Sequence, residues 1–308
     1  MVLASTRKIF EDARRRKYAI GLMVTWDLGI VKPFIEAAEE QNSPVMLGAT
    51  WGMIKSNGAE RFLSGLVNSA EKAKVPVLLH LDHGRTYEEC MSCVRNGWSS
   101  VMIDASDKPF NENIQYTREV TRACHAAGIP IEAELGDMPV ISDQNIDFEK
   151  VSASTQMSKE AKSFSEMMTK PSEAERFVKE TGIDILAVSV GQVHHFPTME
   201  NGVHPVKKIA RLDFNRLKSI SSVIGDAFLC MHAGSHVPLE SLSKAVSMGV
   251  VKVNIGTAFG SIWTDSIRKQ VMENPDEVWP TKVTESAEKA VKNATVEYLK
   301  VMNSAGKA

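Results

Sequence analysis

The sequence has few of the features that mark secreted, membrane or nucleic-acid-binding proteins. Only four of its 308 residues are cysteine, and its formal net charge at pH 7 is −2. Four cysteines are too few for a disulfide framework in a chain of this length. The near-neutral charge gives no reason to expect nucleic acid or a membrane surface as a partner. We therefore expect a protein of the reducing cytoplasm.

Long apolar runs are also missing. The opening residues, MVLASTRKIFEDARRRKYA, contain no apolar core of a signal peptide, and no later run is long enough to span a bilayer. Cys90 and Cys93 have the spacing of a zinc or redox pair. They lie in a helical pattern with no second pair of ligands, so packed or surface thiols are the better interpretation.

The apolar residues that are present form short runs separated by helical patterns. Eight runs have the length and composition of buried strands. They are Tyr18–Val24, Pro44–Thr50, Pro76–Asp82, Ser100–Asp104, Ile129–Glu134, Ile185–Val190, Ala227–Met231 and Val251–Asn254. The predicted helices are Ile30–Glu40, Gly58–Lys74, Tyr87–Asn96, Asn113–Ala127, Ser172–Thr181, Phe214–Ile224, Leu239–Met248, Ser261–Glu273 and an added Val283–Met302.

This alternation of strands and helices predicts an α/β protein with a parallel sheet closed into a (β/α)₈ TIM barrel and an additional C-terminal helix. No Pro/Gly-rich linker and no shift in composition divides the chain. We therefore expect residues 1–308 to form a single domain. Ser172 and Glu175 have the spacing of a capping box at the start of one predicted helix.

Polar side chains follow the predicted strands at the ends where a barrel of this kind carries its chemistry. The stretch from Val75 to Gly84 ends in Asp82 and His83, a pair suited to proton transfer or metal ligation. The alternative is that His83 caps a helix and Asp82 pairs with an arginine. On this stretch alone the two interpretations are equal. Five later strands also end in titratable or ligand-type residues, and this favours a site.

Three of the strand ends supply histidines, namely His83, His194 and His232. Three imidazoles with an open fourth position make a catalytic zinc site. His195 and His236 occupy the same strand ends, so the choice within each pair stays open. The remaining histidines have plainer interpretations: a packed core residue for His80, and surface roles for His125 and His204.

Two loops have the composition of oxyanion sites. Gly234-Ser235 follows the seventh strand, and Asn254-Ile255-Gly256-Thr257 follows the eighth. Barrels of this kind commonly bind phosphate with these two loops, through backbone N–H groups and hydroxyls. The alternative is that such glycines only serve tight turns, which is the interpretation we adopt for Gly84 and Gly225.

The sequence resembles the class II, metal-dependent fructose-bisphosphate and tagatose-bisphosphate aldolases over essentially its whole length. The shared motifs are HLDHG at residues 80–84, SVMIDxSxxPFxENI at 100–114, EAELG at 132–136, TGIDxLAVxxG at 181–191, LDFxRL at 212–217 and SAGKA at 304–308. The resemblance implies a cytoplasmic lyase of carbohydrate metabolism, of the kind used in glycolysis. It also implies a phosphorylated sugar as substrate and a homo-oligomer, either a dimer or a tetramer.

The resemblance assigns roles to individual residues. His83, His194 and His232 would bind Zn²⁺, with Glu134 as an alternative ligand and Na⁺ or K⁺ as an optional monovalent cofactor. Asp82 would be the catalytic proton carrier, which takes the proton of the C4 hydroxyl while the metal acts as a Lewis acid. The positions that would hold the ketone phosphate are Gly191, Gly234, Ser235, Asn254, Gly256 and Thr257.

The sequence departs from the family where the substrate would bind. Histidine replaces glycine at 195 and 236, alanine replaces glycine at 233, and Ala258 replaces an acidic residue that reads a substrate hydroxyl. The asparagine-rich turn near the start is replaced by Val24-Thr25-Trp26-Asp27, and the glycine pair after EAELG is absent. We expect His195 and His236 to narrow the entrance and, when protonated, to favour an anionic group. Ala258 should relax the choice of aldehyde.

The long connection after the fifth strand, from about Asp137 to Lys170, has the length of a lid. The excursion from Gln192 to Arg211 is a second candidate lid. A second acid/base group is expected in the 137–170 loop, where the candidates are Asp143, Asp147 and Glu149. Two other functions stay open: a metal-dependent isomerase or epimerase on the same barrel, and a catalytically inactive sugar-phosphate-binding paralogue.

Overall fold

The fold was analysed in a computed structural model that describes residues 4–141 and 163–308. The strands are β1 (Ile20–Val24), β2 (Val45–Thr50), β3 (Val77–Gly84), β4 (Ser100–Ile103), β5 (Ile131–Leu135), β6 (Val140–Ile141), β7 (Ile185–Val188), β8 (His194–His195), β9 (Phe228–Met231) and β10 (Val250–Ile255). All but the two-residue β6 and β8 match predicted strands, within two residues at either end.

Eight of these strands close into a barrel in the order β1-β10-β9-β7-β5-β4-β3-β2, and every neighbouring pair is parallel. The predicted (β/α)₈ barrel is therefore confirmed. β6 and β8 form a separate two-stranded parallel sheet. This small sheet was not predicted, and it holds the segment that carries His194 and His195.

The helices surround the barrel. They are α1 (Thr6–Arg16), α2 (Val31–Glu40), α3 (Trp51–Ser56), α4 (Ala59–Lys72), α5 (Tyr87–Arg95), α6 (Phe110–Ala126), α7 (Phe164–Met167), α8 (Pro171–Thr181), α9 (Phe214–Ser221), α10 (Leu239–Ser247), α11 (Thr257–Glu273) and α12 (Pro280–Val301). The added helix α12 packs against α2 and α11. None of the described helices combines the length and apolar character that a membrane span needs.

Three helices were not predicted, namely α1, α3 and α7. Helix α1 buries only Thr6, Phe10 and Ala13, because its other residues except Ile9 are polar and its last turn holds three arginines. The predicted capping box at Ser172 and Glu175 is wrong, since α8 begins with Pro171. The capping box that does form lies at the start of α7, where Ser163 and Glu166 each bond the other's backbone N–H.

The two glycines that were assigned to tight turns differ. Gly225 has a φ of 59°, as expected for a turn. Gly84 is instead the last residue of β3, and a Cβ atom there would lie 2.7 Å from the carbonyl oxygen of Met102. Gly84 is therefore required by close packing between β3 and β4 rather than by a turn.

Candidate active site

An irregularity in β3 brings Asp82 and His83 to the same site. Successive side chains of a regular strand point to opposite faces of the sheet. Here the register between β3 and β4 shifts between Leu81 and Gly84, and His83 has a φ of 50°. As a result Oδ1 of Asp82 lies 4.0 Å from Nε2 of His83 at the mouth of the barrel. Bulges of this kind commonly redirect side chains at functional sites.

The imidazoles of His83 and His232 face each other, with Nε2 of His83 3.1 Å from Nδ1 of His232. The other nitrogen of each ring contacts a buried carboxylate. Nδ1 of His83 lies 2.7 Å from Oδ2 of Asp104, and Nε2 of His232 lies 2.8 Å from Oε1 of Glu132. Because the carboxylates accept hydrogen bonds, the ring protons belong on these outer nitrogens.

With the outer nitrogens protonated, the two inner nitrogens can face each other at this distance only with a proton or a metal ion between them. Zn²⁺ binds imidazole nitrogen at about 2.0–2.1 Å, so a tetrahedral site separates two such nitrogens by about 3.3 Å. The 3.1 Å between His83 and His232 is close to this value. Histidines oriented by carboxylates are typical of metal sites, and the donor set of this chain therefore fits a divalent metal.

The negative charges around His83 favour a cation at this place. Burial opposes protonation of its ring, but the negative charge of Asp82 and the hydrogen bond to Asp104 outweigh burial and raise its pKa to about 10. Without a metal the ring therefore carries a proton on Nε2 as well, and a bound metal ion would displace that proton. Oε2 of Glu134 lies 4.0 Å from Nδ1 of His83 and from Nδ1 of His232. This oxygen is buried without a hydrogen-bond partner. An unpaired buried carboxylate oxygen close to two imidazoles is suited to metal ligation.

His194 lies near this pair without closing on it. The groups of described residues whose ligand atoms lie within 4.8 Å of one another are Asp82–His83–His232, Glu132–Cys230–His232 and His83–Asp104–Glu134, and His194 belongs to none of them. Burial and the charges of His83 and His232 lower its pKa to about 3. The histidine is thus held neutral, the form that binds metal, within electrostatic range of both rings.

A buried ionic network inside the barrel supports Asp82 and His232 from below. The Nζ atom of Lys252 lies 2.9 Å from Oε2 of Glu132 and donates to Oδ1 of Asn254 at 2.7 Å. Asn254 in turn donates from Nδ2 to Oδ1 of Asp82 at 2.8 Å. This amide therefore orients the carboxylate of Asp82, while its predicted contact with a substrate phosphate stays a prediction. The nearby cations outweigh burial and lower the pKa of Asp82, so its carboxyl group stays charged.

The loops after β9 and β10 contact each other through Ser235. Its hydroxyl oxygen accepts hydrogen bonds from the backbone N–H groups of Gly256 and Ala258 at 3.3 and 3.1 Å. A Cβ atom on Gly234 would lie 2.6 Å from Cγ1 of Val253, so only glycine fits there. Ala233, which stands where the family has glycine, adopts a left-handed conformation with a φ of 55°.

Gly191 has a positive φ of 108°, and a Cβ atom there would lie 2.0 Å from the carbonyl oxygen of Arg211. The backbone of Arg211 also donates to the carbonyl of Gly191 at 3.1 Å. Gly191 therefore allows the backbone at the start of the Gln192–Arg211 excursion to contact the backbone at its end. The structure gives this glycine a role in backbone approach, while a substrate contact by Gly191 stays a prediction.

A cavity of about 570 Å³ lies over the site, at the C-terminal ends of the strands. Asp82, His83 and His194 line it, together with Gly256 and Thr257 at the start of α11. In the described part of the chain, the other predicted substrate residues are not among its lining: Gly191, Gly234, Ser235 and Asn254. Ala258 lines a neighbouring cavity of about 420 Å³ instead.

Two expectations about histidines are wrong. His195 and His236 do not narrow the entrance, since both are buried and their rings pack edge to face at 5.4 Å. Burial lowers the pKa of His236 to about 4 and also lowers that of His195, so neither offers a positive charge near neutral pH. His204 does not have a plain surface role, because it lines the cavity and bonds Asp265 through Nδ1 at 2.6 Å.

The other histidines agree with expectation. His80 is a fully buried core residue with Nδ1 2.8 Å from the hydroxyl of Ser100. His125 is part-exposed and bonds Asp184 at the opposite end of the barrel.

The alternative role for Asp82, pairing with an arginine, is wrong, since Arg85 contacts Asp104 at 3.2 Å instead. Asp143, Asp147 and Glu149 lie outside the described residues.

Sequence reasoning did not identify Lys252 or Trp26 as site residues. Lys252 carried a readable signal, because it alternates with Asn254 along an apolar strand and so shares a face with it. A lysine at such a position is costly to bury without a partner. Nothing in the sequence around Trp26 indicated that it lines the site, apart from the replacement of the family's asparagine-rich turn.

Comparison with known proteins gives consistent matches. The family model described as class II fructose-bisphosphate aldolase matches residues 4–307. The chain is 32% identical to the fructose-bisphosphate aldolase of Geobacillus stearothermophilus, covering 100% of this chain and 99% of that one. It is also 32% identical to the 6-phospho-5-dehydro-2-deoxy-D-gluconate aldolase of Bacillus subtilis strain 168, covering 100% and 98%. The crystal structure of the YdjI aldolase from Escherichia coli K12 has a TM-score of 0.78 and 30% identity, with 100% of both chains covered.

Proposed function

The chain belongs to the class II fructose-bisphosphate aldolase family, and from that premise we propose that it cleaves a phosphorylated ketose reversibly to dihydroxyacetone phosphate and an aldehyde. The protein is a lyase of the metal-dependent aldolase class. The observation that carries the proposal is the pair of facing imidazoles, 3.1 Å apart, beside a charged Asp82 in one cavity.

Zn²⁺ is the metal that we propose for the site, with His83, His194 and His232 as its ligands and Glu134 as an alternative ligand. Imidazole nitrogens, oriented by Asp104 and Glu132, are the donors that zinc prefers. When bound, the ion would act as a Lewis acid toward the substrate carbonyl. A monovalent cation, Na⁺ or K⁺, remains part of the proposal on the basis of the family resemblance alone.

Asp82 acts as the general base in cleavage. Its carboxylate removes the proton of the hydroxyl on C4, the C3–C4 bond breaks, and C4 leaves as an aldehyde. The hydrogen bond from Asn254 holds the carboxylate in place, and the nearby cations keep it ionised. C3 keeps the electron pair and then takes up a proton, so that dihydroxyacetone phosphate results. The group that delivers this second proton is expected in the 137–170 loop.

The phosphate of the ketone half would bind at the N-terminus of α11 and the adjoining loops. Gly256 and Thr257 line the cavity there, and Ser235 links the loop after β9 to the backbone of Gly256 and Ala258. The partial positive charge of a helix N-terminus favours an anion. Gly191, Gly234 and Asn254 would shape this end of the site through the contacts described above.

Fructose 1,6-bisphosphate is not the preferred ketose in this proposal. Two relatives that are equally similar to the chain are named for different sugars, so similarity alone does not select a substrate. Alanine at 258 and the replaced turn at Val24–Asp27 remove polar groups that the family uses. A site that lacks such groups discriminates differently among sugar hydroxyls.

A panel of phosphorylated and unphosphorylated ketoses, with release of triose phosphate as the readout, tests the function. We expect triose phosphate from at least one ketose phosphate and a lower kcat/KM for fructose 1,6-bisphosphate than for another member of the panel. Conversion of a ketose without release of any aldehyde would indicate an isomerase or epimerase instead. Binding without conversion would indicate an inactive paralogue.

We also propose that residues 1–308 form one domain, that the protein acts in the cytoplasm and that it assembles as a dimer or tetramer. The strands of residues 4–141 and 163–308 include one closed barrel, and all four cysteines are free and buried, as suits a reducing compartment. Light scattering coupled to gel filtration tests the assembly, and a single cooperative unfolding transition would fit one domain.

A further inference from the structure

One side of the cavity over Asp82 is apolar. Trp26, from the turn after β1, and Met53, from α3 after β2, form this side with Phe196 and Pro197 from the excursion after β7. We refer to these four residues as the apolar wall. Met53 follows β2, which pairs with the strand that carries Asp82, and Trp26 follows β1, the next strand on that side. Both line the same cavity as Asp82, so the wall can contact an aldehyde whose hydroxyl binds Asp82.

The wall is held in place by contacts of its own. The indole of Trp26 packs edge to face against Trp263 with ring centroids 6.1 Å apart. The carbonyl of Trp26 accepts a hydrogen bond from Nδ2 of Asn57 at 2.7 Å. Phe196 is 64% exposed, so an apolar group of the substrate that covered it would remove this ring from water. The wall is thus an apolar surface that an apolar part of the substrate could contact.

Lysine and arginine are absent from the cavity lining among residues 4–141 and 163–308. Lys208 belongs to the neighbouring cavity, where its ammonium donates to the carbonyl of Ser235 and to the hydroxyl of Tyr298, both at 2.8 Å. His204 is the third histidine of this lining, and its ring is bonded to Asp265. A second phosphate on the aldehyde half would therefore meet no free cation in this lining.

Placing a phosphate dianion against indole, thioether and phenyl groups is costly, because a charged group that leaves water needs a paired charge or hydrogen bonds. From this geometry we infer that the enzyme takes a ketose 1-phosphate whose aldehyde half is unphosphorylated and uncharged, with an apolar face that covers Trp26 and Phe196. The inference rests on the proposed function and narrows its substrate class. In condensation, the second acid/base group takes a proton from C3 of dihydroxyacetone phosphate, and C3 bonds the aldehyde carbon as the C=O π bond breaks. Asp82, which is protonated at the start in this direction, gives its proton to that oxygen, which becomes the C4 hydroxyl.

The test is run in the direction of condensation with the metal-loaded protein, dihydroxyacetone phosphate and a set of aldehydes. The set is D-glyceraldehyde 3-phosphate, D- and L-glyceraldehyde, glycolaldehyde and isobutyraldehyde. We expect the best uncharged aldehyde to exceed D-glyceraldehyde 3-phosphate in kcat/KM by about tenfold or more, the effect of about 1.4 kcal/mol of discrimination. A highest value for D-glyceraldehyde 3-phosphate would overturn the inference and leave the proposed function standing. Condensation with none of the aldehydes would refute the proposed function itself.

A second comparison assigns the preference to the wall. The Trp26→Arg variant should raise kcat/KM for D-glyceraldehyde 3-phosphate relative to glycolaldehyde by about tenfold, since arginine binds phosphate through two hydrogen bonds. Trp26→Phe should keep the wild-type ratio. Trp279→Arg is the matched control, because Trp279 is 65% exposed and lies outside the cavity. If Trp26→Arg does not fold, Met53→Arg takes its place. An unchanged ratio in a folded arginine variant of the wall would contradict the inference.

Discussion

Lys252 and Glu132 form an ion pair entirely inside the barrel, with Nζ of Lys252 2.9 Å from Oε2 of Glu132 and neither side chain exposed. Each also contacts the site: Glu132 bonds His232, and Lys252 bonds the Asn254 that orients Asp82. The pair therefore links His232 to the carboxylate of Asp82. Burial disfavours both charges, and each is kept ionised by the other.

Removing one member of this pair should be more harmful than removing both. Glu132→Gln leaves the Lys252 ammonium buried without its counter-charge, which should lower the free energy of unfolding by about 3–5 kcal/mol. The double variant with Lys252→Met should lose less stability than Glu132→Gln alone, because it leaves no unpaired charge in the barrel. Denaturant unfolding of all three measures this coupling. Glu173→Gln, which breaks the exposed pair with Lys170, is the control and should change stability by less than about 0.5 kcal/mol.

Asp82→Asn should fold and bind metal but turn over at least about a hundredfold more slowly. The amide keeps the shape of the carboxylate but cannot accept the proton of the substrate hydroxyl. Steady-state kinetics with triose phosphate as readout and metal analysis of the same sample measure the two effects separately. Asp276→Asn, at an exposed position, serves as the control. Near-normal turnover of Asp82→Asn would mean that another group carries the proton.

Gly191→Ala and Gly202→Ala should differ in their effect on stability. Both glycines have a positive φ, 108° and 84°, but a Cβ atom on Gly191 would overlap the carbonyl of Arg211, whereas Gly202 has open space around it. Gly202→Ala should therefore cost only the backbone strain, about 1 kcal/mol. Gly191→Ala should cost roughly 3 kcal/mol or more, because the backbone itself must move. Equal losses of stability in thermal unfolding would show that the backbone at Arg211 moves away from residue 191 at little cost.

His236 should make the folded state sensitive to acid. Burial lowers its pKa to about 4, while in the unfolded chain the pKa is about 6.5. The unfolded chain thus binds a proton first as the pH falls. The contribution of His236 to stability is therefore fully present above pH 6.5 and is lost between about 6.5 and 4, by roughly 3 kcal/mol.

The His236→Gln variant should lose less stability across this window than the wild type does. Urea unfolding at a series of pH values measures the difference between the two proteins. Groups without contact to His236 titrate alike in both proteins and cancel in that difference, whereas the smaller changes at His194 and His195 belong to the effect of His236. Parallel stability curves from pH 7 to pH 4 would contradict the assignment to His236.

The barrel was readable from the sequence because parallel strands buried on both faces appear as short apolar runs. β3 shows the limit of this reasoning. Its apolar run predicts a strand that ends near Asp82, but strict alternation would send Asp82 and His83 to opposite faces. Only the register shift and the positive φ of His83 bring both side chains to one site, and no residue pattern reports such a bulge.

The candidate site shows a similar division. The positions of His83 and His232 could be predicted, because both follow strands and the C-terminal ends of barrel strands meet at one face. The burial of His195 and His236 could not be anticipated, because it depends on the small sheet of β6 and β8 and on the turn at Gly234–His236. Neither element is long enough to leave a periodic pattern. Trp26 likewise joins the cavity through tertiary packing on Trp263, which local sequence does not show.

The central claim is that a divalent metal between His83 and His232 is required for aldol cleavage. Metal analysis of the purified protein, followed by triose phosphate release before chelation, after chelation and after addition of Zn²⁺, tests it most directly. We expect one metal ion per chain, loss of activity on chelation and recovery with Zn²⁺, while His83→Ala binds no metal and stays inactive. Full activity in a metal-free sample, or in His83→Ala, would contradict the account.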